Sequence, residues 1–225
     1  NVFLLAVIPA IVVLALAFAV REPEAPVRAK RDTFRWTFAG LPAPFRRYLM
    51  VLALFTLGNS SNMFLLLRAN ELGASATRVT LMWALLSGVA AVLSTPLSAL
   101  SDRYGRARVL CIAWLAYGAA YLLIGLLPAA DWALWIAFAG YGVVTAALEG
   151  TEKALVADLV PAERSGTAFG WYNLVSGILL LPASLVFGWI WSTVSPFAAF
   201  AFGAACAFAA ALLLRAWAVP AAQAA

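Results

Sequence analysis

The 225-residue sequence contains no histidine, only two cysteines, and charged side chains at just 11% of positions. Without histidine and with only Cys111 and Cys206, both inside apolar runs, neither a cysteine–histidine metal site nor a disulfide framework is expected. The two thiols read as small buried hydrophobes. No Gly-x-x-x-x-Gly-Lys-Ser/Thr run is present, so nothing suggests nucleotide hydrolysis. No paired-aspartate motif and no nucleophile–base constellation stands out, and the chain is read as a non-enzyme without cofactor or metal. The scarcity of charge excludes more. Soluble domains carry roughly 25% charged and about 45–50% apolar residues. Here 65% are hydrophobic and the mean hydropathy is +0.94, so the solvent for much of the chain is lipid.

What is there is a series of seven apolar runs: 2–20, 48–67, 79–99, 109–127, 132–148 with a helical extension towards 159, 167–191 and 197–219. About 20 apolar residues span the hydrocarbon as a helix. The runs are too long for barrel strands and none alternates at period two, which predicts an all-α polytopic membrane protein.

The net charge of +5 resembles a nucleic-acid signal until its placement is read. Residues 21–47 hold Arg21, Arg28, Lys30, Arg31, Arg35, Arg46 and Arg47; Arg103, Arg106 and Arg108, then Lys153 and Arg164, then Arg215 follow on the same side. The other side has only Arg68 and Arg78. Thirteen basic residues against two is an orientation signal, and it argues against a nucleic-acid partner. It places the rich side and the C-terminus in the cytoplasm of a cell whose inner (plasma) membrane the chain crosses several times. The expected organisation is a span over 1–20, a basic cytoplasmic linker over 21–47, a six-helix bundle over 48–219 and a tail over 220–225. The start at Asn1 within an apolar run predicts that an N-terminal half precedes it. The linker carries Pro23, Pro26, Pro42 and Pro44. Within it the stretch 33–38 mixes aromatics with basic flanks, which suits either a headgroup-lying element or a plain linker.

After the third run comes Pro96-Leu97-Ser98-Ala99-Leu100-Ser101-Asp102-Arg103-Tyr104-Gly105-Arg106-Ala107-Arg108. An acid, a glycine turn and guanidiniums between two spans permit a very short connection, because glycine tolerates positive φ. This block resembles the loop signature of major facilitator transporters, Gly-x-Leu-x-Asp-Arg-x-Gly-Arg-Arg or Lys. Leu100, Asp102, Arg103, Gly105 and Arg106 match, Ser98 replaces the leading glycine, and Arg108 stands one place late. The stretch 158–170 is similar to that family's loop between spans ten and eleven. The resemblance covers essentially the whole chain and makes the first run span six, followed by spans seven to twelve. It implies a six-helix C-terminal bundle of a major facilitator fold. It also implies a gate built on Asp102, Arg103, Gly105, Arg106 and Arg108, with Asp102 facing the helix start at Ser165-Gly166-Thr167.

Polar residues inside the spans are the remaining candidates, since each ionisable group there costs about 2.5–3.5 kcal/mol on insertion scales. Glu149 and Lys153 stand at i and i+4, the spacing for an ion pair, with Glu152 between them. An intracellular gate or salt bridge of Glu149, Glu152 and Lys153 is the first reading, ahead of a cavity-lining or proton-carrying role for Glu149, with Glu152 as the second in-span carrier; snorkelling of Glu149 is the alternative. Gly58-Asn59-Ser60-Ser61-Asn62 places four polar side chains in a row in mid-span, which can loosen a helix. Asn59 and Asn62 are candidates for substrate contact, against plain interhelical packing. Gly166, Gly170 and Gly177 suggest a close-packing face, and Pro182 a kink. Tyr172 and Asn173 are candidates near the cytoplasmic end, where aromatics usually form the interface belt. Arg68 and Glu71 offer an outer gate or a topology anchor. The expectation is a secondary active transporter of a small solute working by alternating access, with proton-coupled efflux as one form of it. The alternative is a non-transporting scaffold or sensor on the same fold.

Overall fold

A helix stands at each of the seven apolar runs in the computed structural model, which describes residues 2–19 and 38–218. The helix α1, Val2–Ala19, belongs to a separate unit and is taken by itself. The linker 20–37, most of the aromatic-basic stretch 33–38 and the tail from 219 onward lie outside the described residues.

The second unit is a bundle. It comprises α2 (Ala43–Gly58), α3 (Met63–Glu71), α4 (Ala76–Tyr104), α5 (Arg106–Leu126), α6 (Asp131–Asp158), α7 (Ser165–Thr193) and α8 (Pro196–Leu213). A π-helical turn, Leu214–Ala218, closes it. Counting α2 and α3 as one run, six segments among the described residues are long and apolar enough to cross a membrane. No strand occurs among the described residues.

Local chemistry explains the helix ends. Pro42 precedes α2 and Pro44 lies in its first turn, where a missing N–H costs nothing. The bundle therefore starts at Ala43 and not at residue 48, and Arg46 and Arg47, expected in the linker, lie in that first helix. Ser75 and Ser195 cap α4 and α8, their hydroxyls accepting from the amides of Arg78 and Ala198. Gly105, at φ 89°, ends α4 and begins α5 within one residue, which a Cβ would disfavour.

The run 48–67 is two helices. Asn59 N–H still bonds to Phe55 O at 2.9 Å, but Ser60 N–H turns back to Gly58 O, and helical bonding resumes only with Phe64 N–H on Ser61 O. Gly58 sits there because α8 crosses at backbone distance: a Cβ on Gly58 would lie 2.8 Å from Gly203 O, and one on Gly203 2.7 Å from Gly58 O.

In the packing, α4 lies mainly on α6, α5 on α8 and α6, and α2 on α7 and α8. The core is aromatic, with Trp114, Tyr117, Tyr121, Phe138, Phe187 and Phe200 all buried. The α4 and α7 segments bury only 11% of their apolar windows, against 39–44% for the other four. Gly166, Gly170 and Gly177 lie on α7 with open space where a Cβ would stand, so they are not a close-packing face within this bundle. The close approaches are elsewhere, at Gly58/Gly203, at Gly142 against Leu86 O, and at Gly150 against Ser98. Both Pro96 and Pro182 are carried inside continuous helices.

Candidate functional site

The break between α2 and α3 gathers the polar groups of the bundle's middle. Freed from regular helix bonding, Asn59 and Asn62 find partners on neighbouring helices. The Tyr117 hydroxyl of α5 donates to Asn59 Oδ1 at 3.0 Å, and the Tyr141 hydroxyl of α6 donates to Asn62 Oδ1 at 3.2 Å. Ser61 N–H donates to Ser184 Oγ of α7 at 3.2 Å. Three helices thus hold the broken one. Tyr117, Tyr121 and Tyr141 stand as a triangle with ring centroids 4.4 to 6.0 Å apart. Ser60 is buried beside them, its hydroxyl towards Tyr121. Lipid offers no replacement for a lost partner, so each of these bonds satisfies a group that would otherwise stand bare.

Towards the basic end, Glu152 of α6 is buried. Trp114 Nε1 of α5 donates to its Oε1 at 3.2 Å, and the Tyr172 hydroxyl of α7 donates to its Oε2 at 2.8 Å. Phe55 stacks on the Trp114 ring at 4.8 Å and completes the wall. The Tyr48 hydroxyl of α2 is buried without a hydrogen-bond partner and lies close enough to feel the Glu152 charge, as do Glu149 and Lys153. No ion pair reaches Glu152 among the described residues. A charged carboxylate in such surroundings loses hydration worth several kcal/mol. Two hydrogen bonds to a charged group return about 1.5–3 kcal/mol each, so the site is close to balance and sensitive to any added cation.

At the basic end itself, Arg106 joins three helices. Its Nη1 donates to Asp158 Oδ1 at 2.6 Å and to Ala154 O at 2.7 Å, both on α6, while its Nε and Nη2 reach Asp102 Oδ1 of α4 at 3.2 and 3.1 Å. A hollow lined by Ser101, Asp102, Gly105, Arg106, Leu155 and Asp158 opens beside it. At the opposite end Arg68 Nη1 pairs with Glu71 Oε2 at 3.5 Å while its Nη2 donates to Gly125 O at 3.3 Å. Trp191 Nε1 of α7 donates to Glu71 Oε1 at 3.2 Å.

The structure brings some sequence candidates together and leaves others apart. Asn59, Asn62, Glu152 and Tyr172 enter hydrogen-bonded clusters. Glu149 and Lys153 are exposed and form no ion pair with each other among the described residues. Asn173, Arg103 and Arg108 are exposed with no ion pair among the described residues. Asp102 pairs with Arg106; among the described residues no hydrogen bond joins it to Ser165, Gly166 or Thr167. Tyr48, Trp114, Tyr117, Tyr121 and Tyr141 were not candidates. The signal was present in the i, i+4 spacing of Tyr117 and Tyr121, two hydroxyls on one face of an apolar run.

With this geometry in place, comparison with known proteins adds three findings. The profile of the Major Facilitator Superfamily matches residues 48–224. An uncharacterized MFS-type transporter of Methanocaldococcus jannaschii is 33% identical over 220 residues, which cover 95% of this chain and 54% of that protein. Among solved structures, a mutant peptide transporter POT in complex with sulfate superposes with a TM-score of 0.63 at 17% identity, over 80% of this chain and 38% of that one. This chain thus spans about half the length of the relative it matches.

Proposed function

This chain belongs to the major facilitator superfamily, a family of multi-pass membrane transport proteins, and from that premise we propose a secondary transporter that moves a small solute by alternating access. In this reading Glu152 is the coupling acid, and the Asp102–Arg106–Asp158 cluster fastens the cytoplasmic end.

The observation that carries the proposal is the setting of Glu152. It is a buried acid held by two neutral donors from two other helices, with no cation paired to it. A carboxyl so placed can exchange its negative charge for a proton at little structural cost, because Trp114 and Tyr172 hold it whether the remaining lone pairs are free or protonated. Any movement of α5 or α7 against α6 alters those two bonds, which gives solute movement and proton movement a common part. Glu149, the other acid of α6, is exposed and has no ion pair among the described residues, so the two donor bonds favour Glu152 as the carrier.

The open faces of α4 and α7 support a second element of the reading. The matched relative is nearly twice as long as the aligned region. Further helices of the complete protein would cover those faces, where Gly166, Gly170 and Gly177 leave room for close approach. The solute would then travel between the two halves, near the midplane break that carries Asn59 and Asn62.

The test is solute-dependent proton movement in liposomes containing the complete protein. Internal pH is followed while a panel of small solutes is presented, for the wild type and for Glu152→Gln and Glu149→Gln. Coupled movement lost in Glu152→Gln and kept in Glu149→Gln is the expected result. Loss in Glu149→Gln with Glu152→Gln unaffected would reject Glu152 as the carrier. No flux of any solute by well-folded protein would reject transport itself and favour a scaffold or sensor.

A further inference from the structure

The two ends of the bundle balance their charges differently. At the end holding Arg68 and Arg78, each arginine has an acid: Glu71 at 3.5 Å and Asp131 at 3.1 Å. At the other end Arg106 takes both Asp102 and Asp158. The helices α2 and α5 and the segment Pro196–Ala218 contain no Asp or Glu at all, yet they carry Arg46, Arg47, Arg108 and Arg215. No carboxylate among the described residues pairs with any of these four.

Three of them lie around the turn that follows α8. Arg47 Nη1 donates to Trp217 O at 3.4 Å and its guanidinium stands 5.6 Å from the Trp217 ring centre, tying α2 to the π-helical turn. The Cys111 thiol donates to Ala211 O at 3.4 Å, which sets α5 against α8 in register. Arg108 lies one turn from Cys111, and Arg215 lies one turn from Ala211, near enough to act on the Cys111 thiol electrostatically. Arg47, Arg108 and Arg215 are all exposed.

Each arginine also sits at the head of an exposed apolar stripe. Met50 follows Arg47 at i+3, Ile112 and Leu115 follow Arg108 at i+4 and i+7, and Leu212 precedes Arg215 at i−3, all exposed. Cations above a lipid-facing apolar wall, with a half-exposed Trp217 at their level, have the profile of an amphiphile with an anionic head. We propose that the seam between α5 and the end of α8 with its following turn binds an anionic phospholipid, its phosphate between Arg108 and Arg215 and its chains along Ile112, Leu115 and Leu212. The proposal is independent of the solute and of Glu152.

The experiment uses the complete protein in a non-ionic detergent, with bound lipid read by native mass spectrometry and thermal stability measured alongside. The probes are didecanoyl phosphatidylglycerol, didecanoyl phosphatidylcholine and glycerol 3-phosphate, which offers the anion without chains. Phosphatidylglycerol is expected to be retained over phosphatidylcholine and to raise the melting temperature. Arg108→Gln and Arg215→Gln should each reduce its retention about fivefold, the weight of one basic residue at an anionic surface. Arg78→Gln, at the far end, should not. Equal retention of the two lipids overturns the proposal, as does undiminished preference in both single variants. Stabilisation by glycerol 3-phosphate equal to that by phosphatidylglycerol also overturns it, since the seam would then be a small-anion site. Arg108→Lys and Arg215→Lys should keep the preference, which separates loss of charge from loss of fold.

Discussion

Gly150 and Ser98 offer a direct measurement of how closely α4 and α6 are packed. A Cβ added to Gly150 would overlap Ser98 Oγ and come within 2.9 Å of Ser98 Cβ. The hydroxyl can rotate away; the Cβ cannot, because it is fixed to the α4 backbone. Gly150→Ala must therefore separate the helices or shift one along the other. Overpacking of this kind costs about 1–3 kcal/mol, partly offset by the roughly 0.5–1 kcal/mol that alanine gains over glycine within a helix. The net expectation for Gly150→Ala is a loss of about 1–2 kcal/mol. Ser98→Gly alone should cost about 0.5 kcal/mol through helix propensity, and the bond that Ser101 Oγ makes to the Ser98 carbonyl is kept.

The double variant moves the Cβ from one helix to the other and removes the overlap. Its stability should return to within about 0.5 kcal/mol of wild type, so the two changes are expected to couple favourably by at least 1 kcal/mol. Reversible unfolding in mixed detergent–SDS micelles, read by circular dichroism, gives the four corners of the cycle. Additive effects within about 0.3–0.5 kcal/mol would refute the reasoning, for they would mean that α4 and α6 already have room at this crossing.

Interhelical hydrogen bonds at the break should be weak singly. A cycle of Asn59→Leu with Tyr117→Phe, measured in the same unfolding assay, is expected to show coupling near 0.6 kcal/mol, and so is Asn62→Leu with Tyr141→Phe. A value above about 2 kcal/mol would imply a role beyond helix attachment. Arg78→Gln should change stability by less than about 0.5 kcal/mol, because both partners in its ion pair with Asp131 are more than half exposed. Arg106→Gln removes one cation from two aspartates and from the Ala154 carbonyl, so it should destabilise more than either Asp102→Asn or Asp158→Asn in that assay.

Much of the fold was legible because each helix is an apolar run, and Gly105 between two spans marks where one ends and the next begins. The capping roles of Ser75 and Ser195 and the entry of Pro42 and Pro44 into α2 act by the same short-range chemistry but were not read in advance. The broken helix was legible for the same reason, since four consecutive polar residues cannot all face a partner from one regular helix. What could not be read was which small residues touch. Gly166, Gly170 and Gly177 have spacings that resemble a packing face, but open space surrounds them among the described residues, while Gly58, Gly150 and Gly203 meet residues distant in the chain. Contact between helices depends on crossing points, and these are properties of pairs.

The site was legible in kind but not in detail, and the two acids of α6 show why. Glu149 and Glu152 are three residues apart, about 60° around the helix, so each borders the same face and composition does not separate them. Their difference comes from α5 and α7. Trp114 reaches across 38 positions and Tyr172 across 20 to place donors on Glu152, and nothing in the sequence pairs either donor with that carboxylate in advance of the packing. Lys153, the cation nearest in sequence, adjoins Glu152 directly, and adjacent residues on a helix diverge by about 100°. That divergence leaves Lys153 exposed and Glu152 without a counter-ion. Had the lysine stood at i+4 from Glu152, an ion pair could form and the acid would be a structural group. The adjacency leaves the buried carboxyl held by Trp114 and Tyr172 of two other helices, the feature on which its proposed coupling role rests.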